Sequence, residues 1–359
     1  MEVYWFNPDN DLALACGATN YTPTRFARQF AHDLQLLPCW IAQPGDCVVC
    51  DDTSMQPWVD EQGLDIRLVT PQELPSLGKA SFRPWGWSAA MRKRLELCGV
   101  EECLLPSSQR IEQWRQLSHR RTSIAIHQQL RQLCDVPFPE PPVELSHLDD
   151  IQAFAAEHPG CFVKEPWSGS GHGIYRAIDP QAQDFVQRCT GALRRQGSML
   201  CEAALDRMMD FAVEVECREQ SAHFEGFSIF ESDFHLQYSH GIVDSTAALH
   251  KHIASHFHAV DSVVNALLQI LNQMVATCYT GHLGVDMLLF HRPDGTIGIN
   301  PCVEMNLRTT MGTITSHLGE RHGLRGRFVI KGVDSIMPND IVLTPSNHSS
   351  RQSAVIEIA

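Results

Sequence analysis

Several features that would assign this 359-residue sequence to a special class are missing. No apolar run approaches the ~20 residues of a membrane-spanning helix, and an acid at position 2 before a polar turn at Asn7 is unlike a signal peptide. Basic runs do not occur, and 28 Lys and Arg against 42 Asp and Glu give a net charge of −14, which argues against binding to a nucleic-acid duplex. We therefore expect a soluble, cytoplasmic protein with neither membrane nor nucleic-acid partner.

The thirteen cysteines lack the pattern of a disulfide framework. Their number is odd and they lie scattered in apolar segments, as at Cys161, which is typical of reduced thiols in a hydrophobic core. Cys47 and Cys50 have the spacing of a metal or redox pair, but no second pair follows them. We favour a buried strand at residues 47–50, with a metal or redox role as the alternative.

The order of apolar and helical patterns indicates an α/β protein of about two domains. Up to residue 117, short apolar segments alternate with helical ones, which predicts an α/β layer with parallel strands. Ser118 has the chemistry of an N-cap for a helix over 118–134, and residues 259–278 form an amphipathic helical pattern. The polar residues after Ser346 predict a loosely held C-terminal tail.

A lysine at the end of a predicted strand precedes a glycine-rich loop. Lys164 ends the apolar segment 161–164, and glycines then alternate with Ser168, Ser170 and His172 up to position 173. Glycines let backbone amides approach a polyanion closely, and the lysine adds a point charge for phosphate oxygens. The order differs from the Walker and dinucleotide-binding patterns, and by itself the loop is more typical of a surface turn.

A β-hairpin with three oxygen-bearing side chains is the second feature. Pro293-Asp294-Gly295 predicts the turn, so Arg292 should face Thr296 and Asp286 should face Cys302. Side chains alternate along a strand, so Glu304 and Asn306 share the face of Asp286, with Glu304 as a diagonal neighbour roughly 7–8 Å away. Such oxygen donors suit Mg²⁺. The alternative is that the acids are ordinary polar side chains of a strand that face water.

The third feature is a pair of acids beside a linker. Glu202 ends the apolar segment 199–202, and Asp210 begins the next apolar segment. Acids at such a junction can accept hydrogen bonds from ribose hydroxyls or lie near an adenine amino group. In isolation this signal is weak.

Taken in chain order, these three features resemble the ATP-grasp family of ATP-dependent carboxylate–amine ligases, which includes D-alanine–D-alanine ligase. The match spans roughly residues 118–317, and the Glu304-Met305-Asn306 ending is its most specific part. The resemblance implies an α/β (α+β) ATP-grasp fold, in which two α+β lobes hold ATP between them. The implied division is an N-terminal pre-grasp domain at 1–117, a first lobe at 118–197, a second lobe at 198–335 and a tail at 336–359.

The resemblance also implies roles for individual residues. Lys164 would contact the α- and β-phosphates, and Mg²⁺, as one or two ions or with Mn²⁺ in its place, would be held by Asp286, Glu304 and Asn306. The implied nucleotide-binding residues are Arg120, Arg121, Lys164, Ser168, Gly169, Ser170, Gly171, His172, Gly173, Glu202, Leu205 and Asp210.

Two positions depart from the family pattern. The family has a second phosphate lysine at the start of the grasp region, where this chain offers only Arg120 or Arg121. The arginine that precedes the first hairpin acid is also missing, since His282-Leu283-Gly284 stands there. Arg308 could supply that charge as a catalytic residue together with Lys164, or could form a structural salt bridge.

The implied activity is Mg²⁺-dependent activation of a carboxylate as an acyl phosphate, followed by transfer to an amine-type acceptor with release of ADP. A small-molecule kinase and a non-catalytic ATP-binding protein are the rival interpretations, and a homodimer is one option for assembly. Two further groups stay open. The turn containing Asn7, Asp9, Asn10 and Asp11 is more typical of a capped helix start than of an amine-binding rim, and the histidines at 250, 252, 256 and 258 are more typical of a solvated surface than of a metal site.

Overall fold

The computed structural model describes residues 1–169, 171–233, 237–346 and 349–358. Within these ranges, no helix combines the length and the apolar character that crossing a membrane requires. Three sheets organise the chain, and they follow one another along the sequence.

The first 117 residues form a parallel sheet with helices, as the alternation of patterns predicts. Its elements are β1 (Glu2–Trp5), α1 (Asn10–Cys16), α2 (Arg25–Asp33), β2 (Cys47–Val49), α3 (Gln56–Glu61), β3 (Arg67–Val69), β4 (Ser81–Pro84), α4 (Ala89–Leu97) and α5 (Ser108–Leu117). The strands lie in the order β3-β2-β1-β4, and all three pairings are parallel. Cys47 and Cys50 are buried free thiols, and burial raises the pKa of Cys50 to about 11. A buried strand therefore explains this pair.

The second unit is a small antiparallel sheet with its own apolar core. Its elements are β5 (Val143–Leu145), α7 (Leu148–Glu157), β6 (Phe162–Lys164), β7 (Ile174–Arg176), α8 (Gln183–Gln196) and β8 (Met199–Glu202), with the strand order β5-β8-β6-β7. Helix α6 (Arg121–Leu133) precedes them in the chain and packs outside this core. The predicted N-cap at Ser118 is wrong: its hydroxyl donates to the carbonyl of Trp114 (2.9 Å) at the end of α5, and α6 begins at Arg121.

The third unit is an eight-stranded antiparallel sheet. Its elements are β9 (Asp206–Arg218), β10 (Ser221–Ser232), β11 (Tyr238–Val243), α9 (Thr246–His256), α10 (Val260–Met274), β12 (Gly281–His291), β13 (Ile297–Asn306), α11 (Met311–Glu320), β14 (Gly326–Gly332), β15 (Ile341–Val342) and β16 (Gln352–Glu357). The strands lie in the order β13-β12-β9-β10-β11-β14-β16-β15.

The end of the chain is part of this large sheet. Strand β16 pairs with β14 and with β15, and its residues Ala354, Val355 and Ile356 are fully buried. The expectation of a loosely held tail is therefore wrong for residues 352–357. Of the polar residues that suggested it, Ser349, Ser350 and Arg351 lie between β15 and β16, and residues 347 and 348 lie outside the described ranges.

Two apolar cores join the first and third units. Helix α10 and helix α6 pack together beside β10 and β13, and their core continues into the first sheet through Trp87 and Trp114. A second core joins Phe6 of the first unit to Ile314 of α11 and Ile356 of β16. The second core includes Ile314 and Leu318 of α11, and the salt bridge between Asp11 and Arg308 places α1 beside the end of the hairpin formed by β12 and β13, where the candidate site lies.

Candidate active site

The hairpin brings the two predicted metal-binding acids directly opposite each other. Near the turn the register follows the prediction, with His291 across from Ile297 and the Arg292 amide donating to the Thr296 carbonyl (2.8 Å). The predicted pairing of Asp286 with Cys302 is wrong, because the register shifts between Leu288 and Asp286 and places Glu304 across from Asp286. Pro301, which cannot donate to a strand ladder, lies at this irregularity.

Asn306 completes a group of three oxygen-bearing side chains. Its Nδ2 donates to Asp286 Oδ2 (3.0 Å). Burial, followed by the charges of Glu304 and Glu214, raises the pKa of Asp286 to about 8, although Arg308 and the Asn306 hydrogen bond oppose the shift. A bound cation would reduce the repulsion between these neighbouring carboxylates.

These side chains fit a hard divalent cation. Two carboxylates and an amide oxygen are the donors that Mg²⁺ accepts, with substrate oxygens and water supplying the rest. Within the described ranges, no group of three or more His, Cys, Asp and Glu side chains is arranged to hold a metal by itself. The hairpin would therefore supply only some of the ligands of an ion, as is usual for Mg²⁺ bound together with a phosphate substrate.

Lys164 and Glu202 meet on the small sheet. Strand β6 runs antiparallel to β8, and the ammonium of Lys164 forms a salt bridge with Glu202. Lys164 is buried. Leu205 follows in the connection to β9, and Asp210 lies on β9, where it forms a salt bridge with Arg207. The structure thus brings the predicted phosphate lysine and the first predicted adenine-pocket residue into contact.

The glycine-rich loop folds back on the end of β6. The Glu165 amide donates to the Gly173 carbonyl (2.7 Å), and Gly171 and Gly173 both have positive φ angles that favour glycine. The His172 amide donates to the Gly169 carbonyl (3.1 Å). Ser170 lies outside the described residues, so its predicted role has no structural counterpart here.

The carboxylate of Glu165 anchors this loop, and sequence reasoning missed it. It accepts hydrogen bonds from the Tyr175 hydroxyl (2.6 Å), Arg195 Nη2 (2.9 Å) and Gln196 Nε2 (2.6 Å). These partners lie on β7 and α8, so they tie the start of the loop to the second unit. The signal in the sequence is only an acid next to Lys164.

Arg120 connects the loop to the metal hairpin. Its Nη1 donates to the Glu165 carbonyl (2.6 Å) and to Ser168 Oγ (2.5 Å), and its Nη2 donates to Glu304 Oε2 (2.9 Å). Arg121 instead donates to Glu144 (3.0 Å) and contacts His119 (2.8 Å), and its side chain is half exposed. Of the two candidate replacements for the second phosphate lysine, Arg120 is the one that lies among the other site residues.

Arg308 forms a two-point salt bridge with an acid of the first unit. Its Nε donates to both carboxylate oxygens of Asp11 (3.0 Å each), and its Nη2 donates to Asp11 Oδ2 (2.7 Å) and Asn306 Oδ1 (3.0 Å). Burial disfavours the charge of Arg308, but the neighbouring Asp11, Glu304 and Asp286 outweigh it and raise its pKa. Arg308 therefore stays charged, next to the metal-binding side chains.

A small cavity lies between the loop, the hairpin and helix α1. Because its walls come from three units of the chain, it is the meeting point of the elements described above. Its lining residues are Asp11, Leu14, Ser118, Trp167, Ser168, Glu304, Met305, Asn306 and Leu307.

A buried acid lies behind this cavity, and sequence reasoning also missed it. Glu214 accepts hydrogen bonds from the hydroxyls of Ser228 (2.8 Å), Thr310 (2.9 Å) and Thr313 (3.0 Å), and burial raises its pKa. Thr310 is the N-cap of α11, so Glu214 joins that helix to the sheet. An acid inside an apolar strand was visible in the sequence, but its three distant partners were not.

Of the two groups that the sequence left open, the N-terminal turn reaches the site through Asp11, whereas the histidines are not among the residues that line the cavity. Asn10 begins α1, and Asn7 Nδ2 donates to the Gly86 carbonyl (2.9 Å), so the N-terminal turn packs against the loop after β4. His250 pairs with Asp261 (2.7 Å), and the rings of His252 and His256 lie 5.2 Å apart. As noted above, no metal-holding group of three is formed there either, within the described residues.

No family model matches the chain, and no curated protein does. Solved structures, in contrast, resemble it. A biotin carboxylase–β,γ-ATP complex from Campylobacter jejuni is 11% identical with a TM-score of 0.53, over 99% of this chain and 87% of that one. The biotin carboxylase domain dimer of 2-oxoglutarate carboxylase from Hydrogenobacter thermophilus, in complex with MgADP, ADP and bicarbonate, is 13% identical with a TM-score of 0.50, over 87% of this chain and 86% of that one. At these identities the likeness concerns the fold, and it confirms what the sequence motifs predict: the chain has the ATP-grasp fold.

Proposed function

We propose that this protein is an ATP- and Mg²⁺-dependent ligase that activates a small-molecule carboxylate and joins it to an amine-type acceptor. The observation that carries the proposal is the hairpin group, in which Asp286 and Glu304 face each other beside Asn306. Arg120 joins this group to the glycine-rich loop, and Lys164 lies at the end of the strand that precedes the loop. Positive charge, a glycine-rich loop and a cation site are the parts that phosphoryl transfer needs.

In this proposal the nucleotide lies between the two lobes. Lys164 and Arg120 supply charge to the phosphate oxygens, while the loop around Ser168 covers them. Glu202 and Leu205 border the adenine, and Asp210 accepts a hydrogen bond from the ribose. Mg²⁺ held by the hairpin residues would neutralise charge on the transferred phosphoryl group.

The chemistry needs no protein nucleophile. A carboxylate oxygen of the first substrate attacks the γ-phosphorus while the bond from that phosphorus to the ADP oxygen breaks, which gives an acyl phosphate and ADP. The amine then attacks the acyl carbon, and the amide, inorganic phosphate and a proton are released. The covering loop excludes water, which would otherwise hydrolyse the acyl phosphate.

Thermal unfolding with ATP, with Mg²⁺ and with both tests the nucleotide site. Ligand at 100 times its Kd adds about 2.7 kcal/mol of stability, so we expect a clear rise in Tm that requires both components. The rise should disappear in Lys164→Ala and shrink in Glu304→Gln, whereas Lys251→Ala, which removes an exposed lysine of α9, should leave it unchanged. The absence of a rise in the wild-type protein would contradict the site.

Turnover separates the proposal from its rivals. Steady ADP release that depends on both a carboxylate and an amine supports the ligase. Release with one substrate alone would indicate a kinase, and nucleotide binding without turnover under any substrate mixture would indicate a binding protein.

A further inference from the structure

We propose that Asp11 is an internal competitor of carboxylate substrates, because its carboxylate occupies on Arg308 the place that a substrate carboxylate would take. This inference rests on the proposed function, since it concerns the substrate side of the same site. Helix α1 contributes nothing to the motifs that resemble the ATP-grasp family, and the acid lies 297 residues away from its partner in the sequence.

Both edges of the Arg308 guanidinium already donate hydrogen bonds to groups of the protein. The edge formed by Nε and Nη2 binds the two oxygens of Asp11. On the other edge, Nη2 also donates to Asn306 Oδ1 (3.0 Å), and Nη1 donates to the Thr309 carbonyl (3.2 Å). A carboxylate binds an arginine at two points through two parallel N–H donors. A substrate carboxylate can therefore bind Arg308 at two points only if Asp11 leaves.

Asp11 lies where a substrate would be. It lines the cavity together with Glu304, Asn306 and Ser168. The glycine-rich loop packs directly on it, because a Cβ placed on Gly169 would lie 2.5 Å from Asp11 Oδ2. The acid is thus enclosed by the same loop and hairpin that would enclose a substrate carboxylate.

The turn that holds Asp11 contains a buried amide without hydrogen-bond partners. The N-cap residue Asp9 makes no side-chain hydrogen bond to α1, and this helix has only seven residues. Asn10, next to Asp11, is almost fully buried, yet neither its Nδ2 nor its Oδ1 has a hydrogen-bond partner. Such unpaired amide groups are unfavourable, so a movement of this turn that gave Asn10 partners would offset part of the cost of breaking the salt bridge between Asp11 and Arg308.

The consequence is competition between an internal and an external carboxylate. An apparent Kd equals the intrinsic Kd divided by the fraction of molecules that can bind. If Asp11 holds Arg308 for nine-tenths of the time or more, removing its charge should tighten carboxylate binding about ten-fold or more. The same factor raises the apparent Kd of every carboxylate that binds Arg308 in this way, so at a given concentration only strongly binding carboxylates occupy the arginine.

Acetate serves as the probe in isothermal titration calorimetry, with sodium chloride at equal ionic strength as the control. We expect Asp11→Asn to bind acetate at least about ten-fold more tightly than the wild type, and the double variant Asp11→Asn/Arg308→Met to lose that gain. Equal or weaker acetate binding by Asp11→Asn would overturn the proposal, and would instead make Asp11 a residue that orients Arg308.

Two further measurements cover the case in which Asp11→Asn does not fold. Asp11→Ser removes the charge with a smaller side chain and should show the same gain. In the wild-type protein, a high concentration of acetate should move the ¹⁵Nε resonance of Arg308, and an unmoved resonance would refute the displacement. ATP–Mg²⁺ binding is measured on the same samples, so a failure of the nucleotide site and a failure of the carboxylate competition are seen separately.

Discussion

Replacing Gly312 by alanine should destabilise this protein, although the same change in a helix usually does the reverse. Gly312 is the second residue of α11, and a Cβ there would overlap Glu214 Oε1 and Ser228 Oγ. An alanine in place of a helical glycine gains roughly 0.5–1 kcal/mol. Displacing Glu214 would disturb its three hydrogen bonds, each worth about 0.5–1.5 kcal/mol, and leave buried hydroxyls without an acceptor. We expect a net loss of about 1–3 kcal/mol.

A matched glycine provides the control. Gly191 lies inside α8, and a Cβ there would meet only Arg195 Nη1 at 3.1 Å, the end of a flexible side chain. In urea unfolding followed by circular dichroism, Gly191→Ala should therefore stabilise the protein by roughly 0.5–1 kcal/mol. Opposite signs for the two substitutions would establish that the loss at Gly312 comes from the overlap.

A double-mutant cycle identifies the overlapping group. Glu214→Ala removes the carboxylate and leaves room for the new methyl group, while the Ser228 hydroxyl can rotate away. The loss caused by Gly312→Ala should then be smaller in the Glu214→Ala background, with a coupling of at least about 1 kcal/mol. Additive effects, or a Gly312→Ala protein as stable as the wild type, would refute the reasoning.

Two other substitutions test the surroundings of the site. Burial lowers the pKa of His317 to about 4, so the unfolded chain takes up this proton at a higher pH than the folded protein. The free energy of unfolding should therefore fall as the pH drops from about 6.5 to 4, by about 1.4 kcal/mol per pH unit. His317→Asn should flatten the pH dependence of unfolding over that range, and an unchanged curve would contradict the lowered pKa of His317. Arg120→Ala should weaken ATP–Mg²⁺ binding at least ten-fold in calorimetry, because it removes the hydrogen bonds that hold the loop and Glu304. Arg121 is half exposed, so Arg121→Ala should change the Kd less than about three-fold. Equal effects would be inconsistent with the different positions of the two arginines.

Local patterns in the sequence were sufficient to predict the hairpin face and the parallel first sheet. Alternation places Asp286, Glu304 and Asn306 on one side whatever the fold around them, and the Pro-Asp-Gly turn sets the first pairs of the ladder. The register beyond Leu288 was predicted incorrectly, because a turn fixes only its neighbours and an irregularity further along the strand shifts the rest.

Contacts between distant segments could not be predicted in the same way. Asp11 and Arg308 meet only after the first unit packs against the large sheet, and Glu214 gathers hydroxyls from β10 and from the start of α11. Ser118 has good N-cap chemistry, but α5 ends there and uses its hydroxyl first. These cases depend on which surfaces are brought together, and a single sequence contains no local signal for that.

The position of β16 has a consequence for how the protein comes to be folded during synthesis. This strand is made after every other strand described, yet it lies between β14 and β15, and Gln352 at its start donates its backbone N–H to Asp33 of α2 (3.1 Å). Until it emerges from the ribosome, β14 presents an unpaired edge, and the apolar surface of Phe6 and Leu34 in the first unit lacks Ile356. Of the three units, the first is therefore synthesised before the other two, yet its apolar surface is covered completely only when β16 is in place.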